Sequence, residues 1–558
     1  MNRFDSRGRR PGRPAPDGGG ASRGGRPPFR PQQQPSTHDR FADARGITFE
    51  ALGTFENRRA FVSDALEQLF YERSVTGQDK GLATEMSYGI ARRLATIDAI
   101  LLTVCDRPRE SVQEGLWRLM RIGTYQLAWL QSIPAHAAIH ETVELAHRLG
   151  QSGWAGFLNA VLRRLQRDIL PIDQAGWSSQ RTIEELVANP DPCWLPIREA
   201  ASDPEPEESR ESGVGSREPE GDSHQPTSVD QPSTINHQPS SGHPPSAISH
   251  QPLLLDGLQL RQPVFPDPYR FRAAHWAAAF SYPEWMIDDW CQQFGEVEAL
   301  DRASWFNSTG RMCLRVNLWK TTRDAALAAL EQANIAATPG RLPESILLAN
   351  PIPVDHLPGF WEGLVSIQDE SAMAAAALLA PQSGWRVLDL CAAPGGKTAH
   401  MAEQMRNEGQ IIACDATAER LPLIEQNCDR LGIQIVQSRE VRMDGTDTPD
   451  GPFDAVLADV PCSNTGVLGK RPEVRWRFVP GELRELIPIQ MRLLKTALDR
   501  VRPGGRVVYS TCSSDPRENE QVIREVLAHS PNCELREQRQ HIPGHPVDGG
   551  FAGLIVKR

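Results

Sequence analysis

From residue 384 to the end of the chain, short apolar runs alternate with stretches of helical spacing. Residues 385–390 read as a buried strand, and a helix from Thr398 follows with Met401 and Met405 on one face. Residues 410–415 give a second strand, after which Leu421, Ile424, Cys428 and Leu431 share a helical face. Strands at 453–459 and 505–510 bracket a helix over 483–498. This alternation predicts a doubly wound parallel sheet, whose ligands bind at the carboxyl ends of its strands.

The rest of the chain is patterned differently. Ile90, Leu94, Ile97 and Leu101 fall on one helical face, as do Phe157, Val161, Leu165 and Ile169. Residues 46–195 therefore predict an all-α bundle large enough for its own core. Residues 261–380 mix helices with strands near 312–317 and 364–370, giving a small α+β subdomain ahead of the α/β sheet domain at 381–558. Residues 1–45 are rich in Arg, Gly and Pro, and residues 196–260 in Ser, Pro, Glu and His. Neither stretch carries enough apolar surface to order itself, so a basic tail and an acidic linker are expected to be disordered.

The polar residues of the sheet domain gather at the predicted strand ends. The first strand runs into Asp389-Leu390-Cys391-Ala392-Ala393-Pro394-Gly395-Gly396-Lys397-Thr398. A triphosphate-binding loop needs a glycine where Cys391 stands, and Pro394 removes an N–H donor, so phosphate cradling is disfavoured. An acid, a small-residue turn and a helix suit a nucleoside cofactor approached by backbone. Asp415, about 20 residues further on at the next strand end, is placed for ribose hydroxyls. A dinucleotide would fit the same layout, so the choice between them rests on residues further along the chain.

Two cysteines make that choice: Cys462 in Asp459-Val460-Pro461-Cys462 and Cys512 in Ser510-Thr511-Cys512-Ser513. Cytosine C5 is a poor nucleophile until a thiolate adds at C6, which makes the ring an enamine able to attack an electrophilic methyl group. Release of the thiol then requires a base for the C5 proton. A carboxylate near the exocyclic amine and ring N3 would orient the base, and Asp459 is placed for that role. Cys391, Cys414 and Cys428 lie within apolar or helical patterns and are expected to pack, although the Cys391 backbone can still touch a cofactor.

With Asp444 in Arg442-Met443-Asp444-Gly445, these motifs resemble, in order over residues 389–513, the Sun/Nop2-type RNA 5-methylcytosine methyltransferases. The resemblance implies a Rossmann-like domain and S-adenosylmethionine held by Cys391, Ala392, Ala393, Pro394, Gly395, Gly396, Lys397, Asp415, Asp444 and Asp459. It also implies that Cys512 is the nucleophile and that Cys462 assists product release. Within 46–195, the stretches 133–146 and 156–164 resemble the NusB-like RNA-binding domain. The combination resembles the B-type methyltransferases of bacterial small-subunit ribosomal RNA, so the implied substrate is a cytosine of 16S ribosomal RNA. Alternatives are another RNA such as tRNA, a DNA cytosine methyltransferase, or a non-catalytic NusB-like RNA-binding assembly or transcription factor.

Charge and composition refine this picture. A net charge of −11, from 71 acids against 60 bases, does not itself suggest nucleic acid, so local patches matter more. Lys470, Arg471, Arg475 and Trp476 combine cations with a stacking indole and are expected to touch RNA, as the family's similar basic stretch implies. Arg163, Arg164 and Arg167 are weaker candidates of the same kind. His136 and His140 stand four apart but lack a further ligand at suitable spacing, so no metal is expected. Ten cysteines at irregular spacing, without a Cys-x-x-Cys pair, argue against a disulfide framework or structural zinc. No apolar stretch reaches ~18 residues and no secretion signal opens the chain, so a cytoplasmic protein with no membrane partner is expected. No protein partner can be inferred.

Overall fold

The computed structural model describes residues 41–57, 61–73, 75–130, 132–170, 179–199, 254–308, 310–544 and 548–558. The expected tail, up to residue 40, and the expected linker from 200 to 253 lie outside the described residues.

Helices Ala44–Glu56, Val62–Glu72, Gly77–Arg92, Leu94–Val104, Glu114–Trp129, Ala135–Arg148 and Ser152–Arg164 form the N-terminal bundle. Ile47, Leu52, Met86, Ile97, Trp117, Leu145 and Leu162 are buried in its core. Where the third helix crosses the fifth, Gly89 is required, because a Cβ there would stand 1.9 Å from the Tyr125 hydroxyl. The face read through Ile90, Leu94, Ile97 and Leu101 belongs to two helices, broken at Arg93 with φ −110° and ψ 18°.

The bundle is followed by β1 (Ser179–Thr182), β2 (Trp194–Glu199) and β3 (Leu254–Gln259), an antiparallel sheet in the order β1-β3-β2. This corrects the expectation of disorder at the two ends of 196–260, residues 196–199 and 254–260. Both described ends of that stretch are strands, because Leu255 and Leu258 bury against the same core as Ile183, Leu186, Trp194 and Leu195.

Helices Arg272–Phe280, Glu284–Phe294 and Glu296–Trp305 extend the bundle's core through Trp276, Phe280, Tyr282 and Ile287. The same cluster takes in Leu468, Val474 and Phe478 from the sheet domain. A four-stranded antiparallel sheet follows, made of β4 (Cys313–Val316), β5 (Ala337–Pro339), β6 (Ser345–Leu348) and β7 (Val365–Ile367) in the order β5-β6-β4-β7. Helix Arg323–Gln332 closes its core.

The last domain contains β8 (Arg386–Asp389), β9 (Gln410–Asp415), β10 (Val436–Glu440), β11 (Phe453–Asp459), β12 (Val501–Thr511), β13 (Cys533–His541) and β14 (Gly550–Lys557). Their order is β10-β9-β8-β11-β12-β14-β13. The predicted parallel sheet holds from β10 to β12, but β14 runs antiparallel to both its neighbours. Alternate residues feed two cores: Val387, Ala455 and Val508 face helices Glu370–Leu379, Gly396–Gln404 and Leu421–Leu431, while Leu388, Val456 and Val507 face Leu483–Arg500 and Glu520–Ala528. The chain is thus an all-α bundle, a small α+β unit and a Rossmann-like sheet domain. Its strand order reverses direction at β8 and β11, where such sheets open a crevice at their carboxyl ends.

Candidate active site at the strand ends

The turn after β8 is shaped by its own backbone. Ala392 N–H donates to the Cys414 carbonyl at 2.8 Å, and Gly395 N–H to the Ala392 carbonyl at 2.7 Å. Gly395 adopts φ 97°, a left-handed conformation that favours glycine, and a Cβ there would approach the Ile424 backbone to 3.1 Å. Gly396 then opens the helix that carries Lys397 and Thr398. Asp415, at the end of β9, accepts from Ala393 N–H and Thr417 N–H, each at 3.0 Å, and so ties the turn to the neighbouring strand.

Asp389 is fully buried, and burial pushes its carboxyl up to about 7 despite the Thr398 hydroxyl donating to it at 2.7 Å. Its other oxygen has no partner among the described residues. Lys397 meets Asp459 at 2.7 Å, and the Ser510 hydroxyl donates to the second Asp459 oxygen at 2.7 Å. Burial opposes the charge on Lys397, but the Asp459 carboxylate outweighs burial and raises its pKa. This pairing joins the turn after β8, the end of β11 and the end of β12 in one charged cluster.

Both cysteines open onto it. Their sulfurs lie 3.3 Å apart and both residues are half-buried. The hydrogen bond to the Cys512 sulfur, together with burial, pushes the Cys462 thiol well above its ordinary value. The backbone around them is fixed by a buried polar network. Glu518 accepts from Ser463 N–H and from the Gln490 amide, each at 2.9 Å, and Gln490 also donates to the Pro461 carbonyl at 2.9 Å. Gly466 N–H donates to the Cys512 carbonyl at 2.9 Å, which pins one cysteine loop to the other.

The structure therefore brings Cys391, Lys397, Asp415, Asp459, Cys462 and Cys512 to one end of the sheet. Burial pushes the Cys391 thiol far up, so its sulfur stays protonated. Asp444 follows the carboxyl end of β10, which pairs in parallel with the Asp415 strand, and it accepts from Thr446 N–H at 3.2 Å and Thr446 Oγ1 at 2.9 Å. Those bonds lower its pKa.

Among the RNA contacts expected after Cys462, Arg475 needs correction. Arg475 is completely buried: its guanidinium donates to Asn307 Oδ1 at 2.7 Å and to the Ser281 and Phe306 carbonyls at 3.1 Å, and lies 4.0 Å from the Tyr282 ring centre. Burial lowers its pKa to about 10, so it stays charged near neutrality. The Trp476 indole donates to the Ala91 carbonyl at 2.7 Å. Lys470 sits between Asp369 at 2.7 Å and Asp548 at 2.8 Å, so its charge is already neutralised. Arg471 is exposed, 5.8 Å from the Phe61 ring centre.

Comparison with known proteins agrees with this layout. Residues 376–546 match the family model of the 16S rRNA methyltransferase RsmB/F, residues 42–167 that of the NusB family, and residues 282–355 that of the RsmF/B-like ferredoxin-like domain. A relative from Vibrio cholerae serotype O1, ribosomal RNA small subunit methyltransferase B, is 30% identical over 527 residues, covering 91% of this chain and 99% of its own. The chain belongs to that family. It is thus a methyltransferase acting on RNA. A Bacillus subtilis relative, a probable ribosomal RNA small subunit methyltransferase B, is 29% identical over 495 residues, covering 88% of this chain and 89% of its own. The crystal structure of PH0851 superposes with a TM-score of 0.63 over 94% of this chain and 100% of its own, at 20% identity, a likeness of fold.

Sequence reasoning missed Glu518 and Gln490, which hold the Cys462 loop, and Asn464, which meets the Cys512 sulfur. Asn464 adjoins the cysteine motif and was open to notice. Glu518 was not, since its polar surroundings read as a loop and nothing local marks an acid for complete burial. Among the described residues, no group of three His, Cys, Asp or Glu side chains is arranged to hold a metal ion, and no helix is long and apolar enough to cross a membrane.

Proposed function

We propose that the protein methylates C5 of a cytosine in 16S ribosomal RNA, with S-adenosylmethionine as donor and a cysteine adduct at C6. The observation that carries this reading is the 3.3 Å approach of the Cys462 and Cys512 sulfurs beside the ion pair of Lys397 and Asp459. Packing alone would bury paired thiols in apolar surroundings; these are half-buried among polar groups at strand ends. The small-subunit target follows the names of the Vibrio cholerae and Bacillus subtilis relatives. A ribosomal RNA substrate sets the reaction in the cytoplasm, and the NusB-like bundle is the RNA-docking part.

The residues fit the donor. Backbone from Cys391 to Gly396 offers a close-approach surface, and a Cβ on Gly396 would meet nothing nearer than Gln368 Nε2 at 4.0 Å. Asp415, at the end of β9, presents a carboxylate to ribose hydroxyls. When bound, the donor supplies an electrophilic methyl group on a sulfonium. Cys512 gives its proton to solvent and adds to C6 as the thiolate, and its electron pair becomes the C6–S bond while C5 gains enamine character. Asp459, fixed by Lys397 and Ser510, orients the exocyclic amine and N3. After methyl transfer a base takes the C5 proton, the C6–S bond breaks, and Cys512 keeps the pair. Cys462, held protonated next to that sulfur, supplies a proton to it as it leaves.

The two single cysteine variants test this. Cys512→Ala is expected to lose methyl transfer and to trap no RNA. Cys462→Ala should attack, transfer the methyl group and stall, giving a protein–RNA species that survives denaturing electrophoresis and carries label from the donor. Trapping by Cys512→Ala instead would reverse the roles, and trapping by neither would remove the two-cysteine mechanism.

A further inference from the structure

We infer that Asn464 is a positioning residue for the Cys512 sulfur, giving the two neighbouring thiols unlike proton roles. The inference deepens the reading of Cys512 as nucleophile and rests on it. Cys512 Sγ–H donates to Asn464 Oδ1 at 3.0 Å. The amide orientation is not arbitrary, because Asn464 Nδ2 donates at 3.0 Å to the Cys462 carbonyl. A flipped amide would set two oxygens against each other there, so Oδ1 is the atom left to face the sulfur. Asn464 adopts φ 59°, a left-handed conformation that asparagine tolerates better than most side chains.

An amide oxygen is a better acceptor than a thiol sulfur, so the single Cys512 proton points to Asn464. The contact between the sulfurs is then made by the Cys462 proton, directed at Cys512. One side chain thus aims the attacking sulfur and leaves the neighbouring thiol as the proton donor to it. The loop itself does not depend on this amide. Ser463 N–H is held by Glu518, Gly466 N–H by the Cys512 carbonyl, and Gly549 N–H donates to the Gly466 carbonyl at 2.7 Å. Removing the Asn464 side chain should therefore leave both cysteines close to their places.

The test uses two variants of the full chain, with iodoacetamide as probe and mass spectrometry to read alkylation of Cys512 across pH. Asn464→Gly accepts the positive φ and deletes the acceptor that favours the thiol, so the midpoint of alkylation should move to lower pH. Asn464→Asp keeps the shape but sets a carboxylate against the sulfur, so its midpoint should move up. Both should transfer methyl groups at least about tenfold more slowly at saturating RNA, with donor affinity by calorimetry unchanged. A merely structural role would not move the two midpoints in opposite directions. Midpoints that stay put, or that shift the same way in both variants, overturn the inference. Full methyl transfer by Cys512→Ala would instead overturn the nucleophile assignment, and the alkylation midpoints would still report on the Asn464 contact.

Discussion

One continuous stretch of chain, from Asp459 to Phe478, passes through two surroundings that treat similar residues oppositely. Its first part ends at a cleft where Cys462 and Asn464 are half-buried and meet Cys512 from another strand end. Its second part, with Lys470, Arg475 and Trp476, has the cations and indole of a nucleic-acid surface, yet these side chains are bound to protein. Arg475 and Trp476 join the sheet domain to the N-terminal bundle and its flanking helices, and Arg92 returns the contact by donating to the Gly469 carbonyl at 2.9 Å. Composition gave both parts the look of a site. Burial sets Arg475 apart, because a guanidinium enclosed on every side has no face left for a ligand, whereas Asp459, Cys462 and Asn464 keep exposed surface at the strand ends.

The comparison breaks first at Arg475. If its role is to hold the domains together, Arg475→Ala leaves the Ser281 and Phe306 carbonyls and Asn307 Oδ1 without this donor in a buried joint and opens a cavity beside Tyr282. The expected loss is about 3–5 kcal/mol in urea unfolding monitored by tryptophan fluorescence. Arg475→Lys should recover only part of it, since an ammonium lacks the planar fork. A variant as stable as the parent but weaker in RNA binding would return Arg475 to the RNA surface.

How much of this was legible in the sequence depends on what each residue needs from distant partners. Strands β8, β9 and β11 were readable because continuous apolar runs between turn signals are local facts, and the cysteine motifs were readable because they follow those strands. β14 was not, since its antiparallel direction is set by pairing with β12 and β13. Nor were β2 and β3, each a short strand bordering a polar stretch whose partner lies across it in sequence. The misreading of Arg475 has the same origin: Ser281, Phe306 and Asn307 lie over 160 residues away, as the separations of 194, 169 and 168 show.

The cleft makes a prediction of another kind, a pH dependence set by one buried carboxyl. Asp389 is ordinarily near 3.9 in an unfolded chain and about 7 in its buried place, so the native state binds its proton more tightly. Its contribution to stability is fully present below pH ~4 and is lost as pH rises through ~7. At about 1.4 kcal/mol per unit, the loss is about 4 kcal/mol at most, and less where the cleft relaxes. Asp389→Asn keeps an acceptor for the Thr398 hydroxyl and removes the titration. Its unfolding free energies at pH 5 and pH 8 should therefore differ less than those of the parent. A residual slope should survive, because burial and the neighbouring Asp369 push Asp548 up to about 6. An unaltered slope in Asp389→Asn would mean that the carboxyl is ionised in the fold and that the cleft is wetter than its burial implies.

The smallest expected effect sharpens the comparison most, because it concerns the residue next to the joint that the joint does not use. Arg471 is exposed, and its guanidinium is 5.8 Å from the Phe61 ring centre, a distance at which a solvated cation–π contact contributes about 0.5 kcal/mol. Arg471→Ala should therefore change unfolding stability by no more than about 0.5 kcal/mol. If this side chain is the member of the basic stretch that meets RNA, the same variant should weaken RNA binding and reduce the salt dependence of the binding constant by roughly one counterion's worth. Titrations of a small-subunit ribosomal RNA fragment at several salt concentrations would read both quantities at once. Lys470→Ala is the matched control, since its charge is already met by Asp369 and Asp548, and its loss should leave the salt slope where it was. Equal salt slopes for the parent and Arg471→Ala would place the whole stretch on the structural side of the divide and send the search for the RNA path to other faces of the molecule.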